Sequence, residues 1–347
     1  MPPPREQAEE SRLSSSTVGS SQGGEAAAPE APKGRVPDFF VVGNPKSGTT
    51  ALYKMLREHP QIFMPDFKEP RFFASDAKVR APKAGKPVVR PRTLEAYMAL
   101  FAEARPDQLA GDGSPQYLRS PEAAQRIAAQ RPDARIIAIL REPASYLRSY
   151  HMDAVKSNLE NERDLGKAMA LEPERRAGRR LPPGVENPAW LLYSEHVQYL
   201  EHLRRFEAVF PSEQILVLIY DDYRRDSEAT VKKVLAFLGV DQTIPLTMVE
   251  TERERLQGVR FLALHRITRA IKIARHRPDQ ANPLLATVGR LAPRAATEAW
   301  RRLVYTEPRQ PAEDFLVDLR RRLKPEVAAL GEHLGRDLVS LWGYQDL

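Results

Sequence analysis

A lysine, two glycines and a run of hydroxyl residues lie close together in Phe39-Phe-Val-Val-Gly43-Asn-Pro45-Lys46-Ser47-Gly48-Thr49-Thr50. An apolar strand, a short loop and a helix start, in that order, aim backbone N–H groups and the positive end of a helix dipole at one point. That is the chemistry of phosphate binding. A nucleoside-triphosphate loop, G-x-x-x-x-G-K-[ST], puts its lysine directly after the second glycine, where it reaches the β- and γ-phosphates. Here Gly43 and Gly48 keep that separation, but Thr49 holds the lysine's place and the lysine has moved inside the loop to position 46. A cation there sits beside the phosphates nearest the nucleoside, so the loop suits a nucleotide whose leaving group is its 5′-phosphate. The segment alone is also compatible with a plain strand-to-helix turn.

A second set follows the most apolar strand of the chain: Leu140-Arg141-Glu-Pro143-Ala-Ser145-Tyr-Leu-Arg148-Ser149-Tyr150. Ligands of open α/β sheets bind at the carboxyl ends of strands, where Arg141 stands. Its fork of donors and the Ser149 hydroxyl, about two turns into a helix, can grip a second phosphate from two sides. Between the two sets lies Phe67-Lys68-Glu69-Pro70-Arg71-Phe72-Phe73. A glutamate, with an ordinary pKa near 4.3, is ionised at neutral pH, and Lys68 beside it favours that state. Glu69 can therefore accept a proton as a general base. The alternative for Glu69 is a surface ion pair with Lys68 or Arg71.

Taken together, these segments resemble the sulfotransferases that use 3′-phosphoadenylyl sulfate (PAPS). Pro45 to Thr50 matches their P-K-x-G-T-T loop, and Arg141 and Ser149 have the spacing of their 3′-phosphate motif. Lys68 to Phe73 matches the K-E-P-x-F-F of the branch that includes the heparan sulfate sulfotransferases. The resemblance implies a sulfuryl transfer from PAPS, without a metal, to an acceptor hydroxyl or amine on a glycan, lipid or small metabolite. It assigns the 5′-phosphosulfate to Lys46, Ser47, Gly48, Thr49 and Thr50 and the 3′-phosphate to Arg141 and Ser149. Glu69 becomes the base, and Lys46 also neutralises charge growing on the leaving nucleotide. Lys68 and Asp112 become candidate substrate contacts, Asp112 through Gly111-Asp-Gly-Ser-Pro-Gln-Tyr-Leu118, whose Gly113 departs from the family's polar or basic residue; a turn before a helix accounts for Asp112 equally well. His151 or Asp112 is the next base to test should Glu69 not serve. Gln257-Gly258-Val259-Arg260 takes the place of the family's late basic loop over the cofactor.

The elements that must position these residues follow an α/β rhythm. Strands are predicted at 38–42, 61–64, 109–112, 134–140 and 214–220. Helices are predicted at 48–58, 93–104, from Pro121 to near Gln130, at 188–210 and at 226–238, with Thr93 as an N-cap and Gly239 as a stop. The order implies a three-layer α/β fold, a parallel sheet with helices on both faces; the resemblance makes it the P-loop NTPase-like sulfotransferase fold. Residues 75–92 and 157–187, rich in Lys, Arg, Pro and Gly, read as mobile surface loops near the acceptor site. On the 188–210 helix, Tyr193 and His196 could face the acceptor, although a lone His on such a helix is more often packing. From 251 onward only helical periodicity appears, at 259–275, 296–305 and 311–334. The domain is therefore read as 36–347, an α/β core over 36–250 with a helical C-terminal extension over 251–347.

Composition bounds the rest. The 347 residues hold no cysteine, which excludes disulfides and thiolate metal sites, and the seven histidines show no H-E-x-x-H spacing. Residues 1–35, rich in Pro, Ser, Gly, Ala and Glu, read as a disordered tail without the apolar centre of a secretory signal. No run approaches the roughly 18 apolar residues of a membrane span, so a cytoplasmic location is the default. The tail has four basic and five acidic side chains, a net −1, so the body carries +8 and the whole chain +7. Ten basic residues face two acidic ones between Val259 and Tyr305. This is either a solvated helix side or a contact with an anionic glycan or the inner membrane face. No nucleic-acid module is present. An ATP-using phosphotransferase and a non-catalytic module that binds adenosine 3′,5′-bisphosphate are the alternatives to a PAPS enzyme.

Overall fold

The computed structural model describes residues 34–74, 90–183, 185, 187–247, 258–259, 264, 267–268, 304–306 and 311–347. Five parallel strands, β1 (Phe39–Val41), β2 (Ile62–Phe63), β3 (Leu109–Asp112), β4 (Arg135–Leu140) and β5 (Ile215–Ile219), form a sheet in the order β2-β3-β1-β4-β5. The register pairs Phe39 with Gly111 on one side and with Arg135 on the other, and Ile136 with Ile215. Chain connections leave β1 and β4 towards opposite edges, so their carboxyl ends form the crevice where such sheets bind ligands.

Alternation along the strands builds a core on each face. Phe39, Val41, Ile137 and Ile139 pack with Leu52, Met55 and Leu56 of α1 (Thr49–Glu58) and Val234 and Leu235 of α9 (Ser227–Leu238). Phe40, Val42, Ile136, Ala138 and Leu140 join the larger cluster on the opposite face. That cluster takes in Ile127 of α3 (Ala123–Gln130), Leu147 of α4 (Pro143–Lys156) and Leu203 of α7 (Tyr199–Glu207). Burial on both faces is why β1 and β4 read as continuous apolar runs. The three-layer α/β expectation therefore holds. Local signals hold too: Thr93 caps α2 (Leu94–Met98) by accepting from Ala96 N, and Gly239 ends α9 in the left-handed region.

Two expectations within residues 157–210 fail. Residues 157–187 are not simply a surface loop: they contain α5 (Leu165–Ala170) and α6 (Glu172–Arg176), and a buried ion pair ties Glu160 to α6. Arg175 donates to both oxygens of Glu160 at 2.8 Å with neither side chain exposed, and Tyr193 Oη donates to Glu160 Oε2 at 2.8 Å. The predicted helix over 188–210 is broken into 3₁₀ turns, Pro188–Leu191 and Tyr193–Val197, before α7 begins. Tyr193 and His196 turn inward, to Glu160 in one case and to Arg119 and Tyr146 in the other. These buried polar contacts outweigh helix propensity.

After β5 come α8 (Tyr220–Arg225) and α9. Val259 and Tyr305, expected at helix ends, instead lie in paired antiparallel strands, β6 (Gly258–Val259) and β7 (Tyr305–Thr306). Most of the basic 259–305 region, all of 1–33 and residues 75–89 lie outside the described residues. The C-terminal helix expected near 311–334 is α10 (Glu313–His333), followed by α11 (Leu338–Leu341). This end of the chain clasps the core. Tyr344 Oη donates to Glu142, the N-cap of α4, and Leu200 N donates to Glu326 Oε1 at 2.9 Å. Trp342 Nε1 donates to Asp221 Oδ2 at 2.9 Å.

The Glu160–Arg175 pair gives the first prediction. Arg175→Met strands a buried carboxylate and should cost about 3–5 kcal/mol in chemical denaturation, whereas adding Glu160→Leu should recover much of the loss. An unchanged midpoint for the single variant would mean that solvent reaches Glu160.

Candidate active site

The phosphate loop leaves β1 at Val42 and enters α1 through Gly48. Gly43 is required by a close approach: a Cβ there would lie 2.4 Å from Ile139 N of the neighbouring strand. Gly48 has φ +83°, and a Cβ would lie 2.7 Å from the Tyr223 ring. Lys46 also holds positive φ, at 67°. No side chain caps the start of α1, whose first amides have no acceptor within the helix. Ser47 Oγ is buried and has no partner among the described residues, and the same is true of Tyr223 Oη. A tight turn with an orphaned hydroxyl and an uncapped helix start fits a phosphate-bearing ligand.

The second half meets the first directly. Arg141 Nη1 donates to the carbonyl of Lys46 at 2.7 Å. The Arg141 guanidinium lies over the Tyr220 ring, 5.0 Å from its centre, and Tyr199 Oη donates to Arg141 O at 3.0 Å. Directly after Arg141, Glu142 caps α4, accepting from Ala144 N at 3.0 Å and Ser145 N at 2.6 Å. Ser149 lies on the second turn of this helix, only 4% exposed. Of the late segment 257–260, Gly258 and Val259 form β6, which packs against α4; Gln257 and Arg260 lie outside the described residues.

Glu69 is tied to the loop through Lys68. Lys68 Nζ donates to Thr50 Oγ1 at 2.8 Å and to Glu69 Oε1 at 3.0 Å. Arg71 pairs with Glu69 Oε2, and Gln116 Nε2 donates to the same oxygen at 3.3 Å. Burial pushes the Glu69 carboxyl up, but the charges of Arg71 and Lys68 and their hydrogen bonds more than reverse this, holding it below the usual carboxylate range. The side chain keeps 26% of its surface open. The ion pair weighed as an alternative is thus present, and it adjoins the phosphate loop.

Asp112 is placed differently from the sequence expectation. It is 0% exposed, and its carboxylate accepts from Tyr97 Oη at 2.8 Å, Tyr117 Oη at 2.9 Å and Ser114 Oγ at 2.7 Å. This correction turns a candidate substrate contact into a buried anchor beneath the Glu69 turn. His151 is also buried, with Nε2 2.9 Å from Glu162 O, and burial lowers its pKa. Among the described residues, no group of three or more acidic or histidine side chains is placed to hold a metal ion.

Residues 37–244 match the sequence model of the sulfotransferase family. The chain belongs to that family. Among its curated relatives, human bifunctional heparan sulfate N-deacetylase/N-sulfotransferase 3 is 30% identical over 222 residues, 59% of this chain and 22% of that protein. Human heparan sulfate glucosamine 3-O-sulfotransferase 6 is 27% identical over 212 residues, 60% of this chain and 54% of that protein. The chain thus spans between about a fifth and about half of these relatives' length. A solved sulfotransferase from Alicyclobacillus acidocaldarius is 29% identical with a TM-score of 0.53, covering 77% of this chain and 99% of that one.

In this member of the family the sequence motifs do not single out Tyr199 and Tyr220, which hold Arg141 in place. Tyr220 had a visible signal, since it ends the apolar run of β5; Tyr199 had none.

Asp112 carries a testable pH signature. Burial raises its pKa to about 6, against the hydrogen bonds of Ser114, Tyr97 and Tyr117. That is above the unfolded value near 3.9, so its favourable contribution is full below about pH 3.9 and is lost as pH rises through about 6. Relative to Asp112→Asn, the unmodified protein should therefore gain on the order of 1 kcal/mol in unfolding free energy between pH 7.5 and pH 5. A difference independent of pH would place Asp112 in contact with water.

Proposed function

We propose that this sulfotransferase moves the sulfuryl group of PAPS to a hydroxyl or amine of an acceptor, by in-line transfer with Glu69 as the base. The observation that carries the reading is the contact of Arg141 with the Lys46 carbonyl. It brings the lysine loop and the arginine fork into one crevice, which supports a nucleotide with a 5′-phosphosulfate and a 3′-phosphate. The loop residues Lys46, Ser47, Gly48, Thr49 and Thr50 would hold the first group, and Arg141 and Ser149 the second.

The acceptor oxygen or nitrogen forms its bond to sulfur as the bond between sulfur and the 5′-phosphate oxygen breaks. The acceptor's proton passes to Glu69, and adenosine 3′,5′-bisphosphate leaves with the charge on that oxygen, opposite Lys46. Lys68 spans the two ends of this process, bonded to Thr50 on one side and Glu69 on the other. The heparan sulfate relatives include an N- and an O-sulfotransferase and favour a glycan acceptor. No helix among the described residues is long and apolar enough to cross a membrane.

Two variants separate the roles. Glu69→Gln keeps the size of the side chain but cannot take a proton, so kcat should fall about 10²–10⁴-fold with bisphosphate affinity nearly intact. Lys46→Ala should weaken nucleotide binding as well as turnover, because Lys46 serves ground and transition states alike. Near-normal turnover by Glu69→Gln would remove Glu69 as the base.

A further inference from the structure

The Glu69 turn has a feature that sulfuryl transfer by itself does not require. Glu69 and Arg71 both hold φ in the left-handed region, at 60° and 55°, with Pro70 between them. Single non-glycine residues there cost on the order of 1 kcal/mol each and persist only when their surroundings hold them. Those surroundings are visible. Arg71 N donates to Ser114 Oγ at 3.0 Å, and Ser114 Oγ donates to the buried Asp112. Phe72 stacks on Tyr97, and Phe73 N donates to Tyr117 Oη at 3.4 Å. The backbone is fixed at Arg71, so any change at this position has to be made by its side chain.

That side chain lies across the carboxylate. Arg71 is 16% exposed, one of its terminal nitrogens is on Glu69 Oε2, and its Nε is buried with no partner among the described residues. A base clamped by a guanidinium is always ionised but gives little driving force for taking a proton. Lys68 alone, already on Oε1, would keep Glu69 in place. Arg71 therefore adds restraint where position is already secured.

Resting on the reading of Glu69 as the base, we propose that Arg71 is a positioning residue that brakes it: paired, it holds Glu69 as an idle carboxylate, and acceptor binding draws it away so that the proton can be taken. The groups that act on Glu69 from each packed element are few. Lys68 and Arg71 come from its own turn, Asp112 from β3 and Gln116 from the 3₁₀ turn after it. Thr50 of α1 reaches it through Lys68.

The test is the pH profile of kcat/KM, which reports the free enzyme. It would be measured from pH 4 to 8 for the unmodified protein, Arg71→Gln, Arg71→Lys, the double variant Arg71→Gln/Asp112→Asn and Glu69→Gln, with bisphosphate affinity as the control for folding. Glu69 must be ionised to act, so activity falls as pH drops through its pKa. With Arg71 present, no acid limb from Glu69 is expected in this range. In Arg71→Gln burial remains while the main opposing charge is gone, so a limb should rise to about pH 4.3 or above. Arg71→Lys should restore the flat profile, and a limb seen in Arg71→Gln that vanishes in the double variant Arg71→Gln/Asp112→Asn belongs to Asp112 and counts against the brake. Arg71→Gln with an unmoved profile, while Glu69→Gln is inactive, overturns the brake and leaves the base assignment standing. An active Glu69→Gln overturns both.

Discussion

The hydrogen bond from Arg141 to the carbonyl of Lys46 joins the carboxyl ends of β1 and β4, and the site depends on it. These strands are neighbours only because the chain crosses β1 on its way from β3 to β4. Gly43 lets the turn after β1 lie against Ile139, bringing the lysine loop within reach of the arginine. Tyr199 and Tyr220 hold the arginine from its carbonyl and from its flat face. The C-terminal end of the chain reaches the same place, since Tyr344 bonds the glutamate that caps α4. Removing the last helices would therefore loosen the Arg141 turn as well as the outer layer.

Strain concentrates on the same crevice. Lys46, Glu69 and Arg71 are three of the five described non-glycine residues at positive φ. Each is held by a contact deeper in the protein: Lys46 by Arg141, and the Glu69 turn by Ser114, Asp112 and the Phe72 and Phe73 rings. Strain of this kind persists only where the surrounding contacts hold it. Asp112, fully buried and bonded to three hydroxyls, is the deepest of these supports.

Much of this was legible in the sequence because it is local. The apolar runs at 38–42 and 134–140 have the composition of strands covered on both faces, and Thr93, Pro143 and Gly239 mark helix ends by their own chemistry. The lysine loop, Arg141 and Glu69 announce themselves by residue type and spacing. What stayed hidden depends on partners far along the chain. Arg175 looks like one charge in a basic loop until Glu160 and Tyr193 bury it. The 188–210 stretch has helical periodicity, but Tyr193 and His196 take inward partners that a continuous helix would deny them. Asp112 sits in a motif that suggests substrate contact, yet Tyr97 and Tyr117 enclose it from other elements.

If the Lys46 loop and the Arg141 fork are one site for two phosphates, a nucleotide carrying both should bind far better than one lacking the 3′-phosphate. Calorimetric titration with adenosine 3′,5′-bisphosphate and with AMP measures this directly. The bisphosphate should bind at least about tenfold more tightly, since a hydrogen bond to a charged group contributes about 1.5–3 kcal/mol and 1.4 kcal/mol is tenfold. Ser149→Ala should reduce that preference while leaving AMP binding largely unchanged, whereas Arg141→Ala, which also frees the Lys46 carbonyl, should weaken both nucleotides. Equal affinities for the two nucleotides in the unmodified protein would contradict the account.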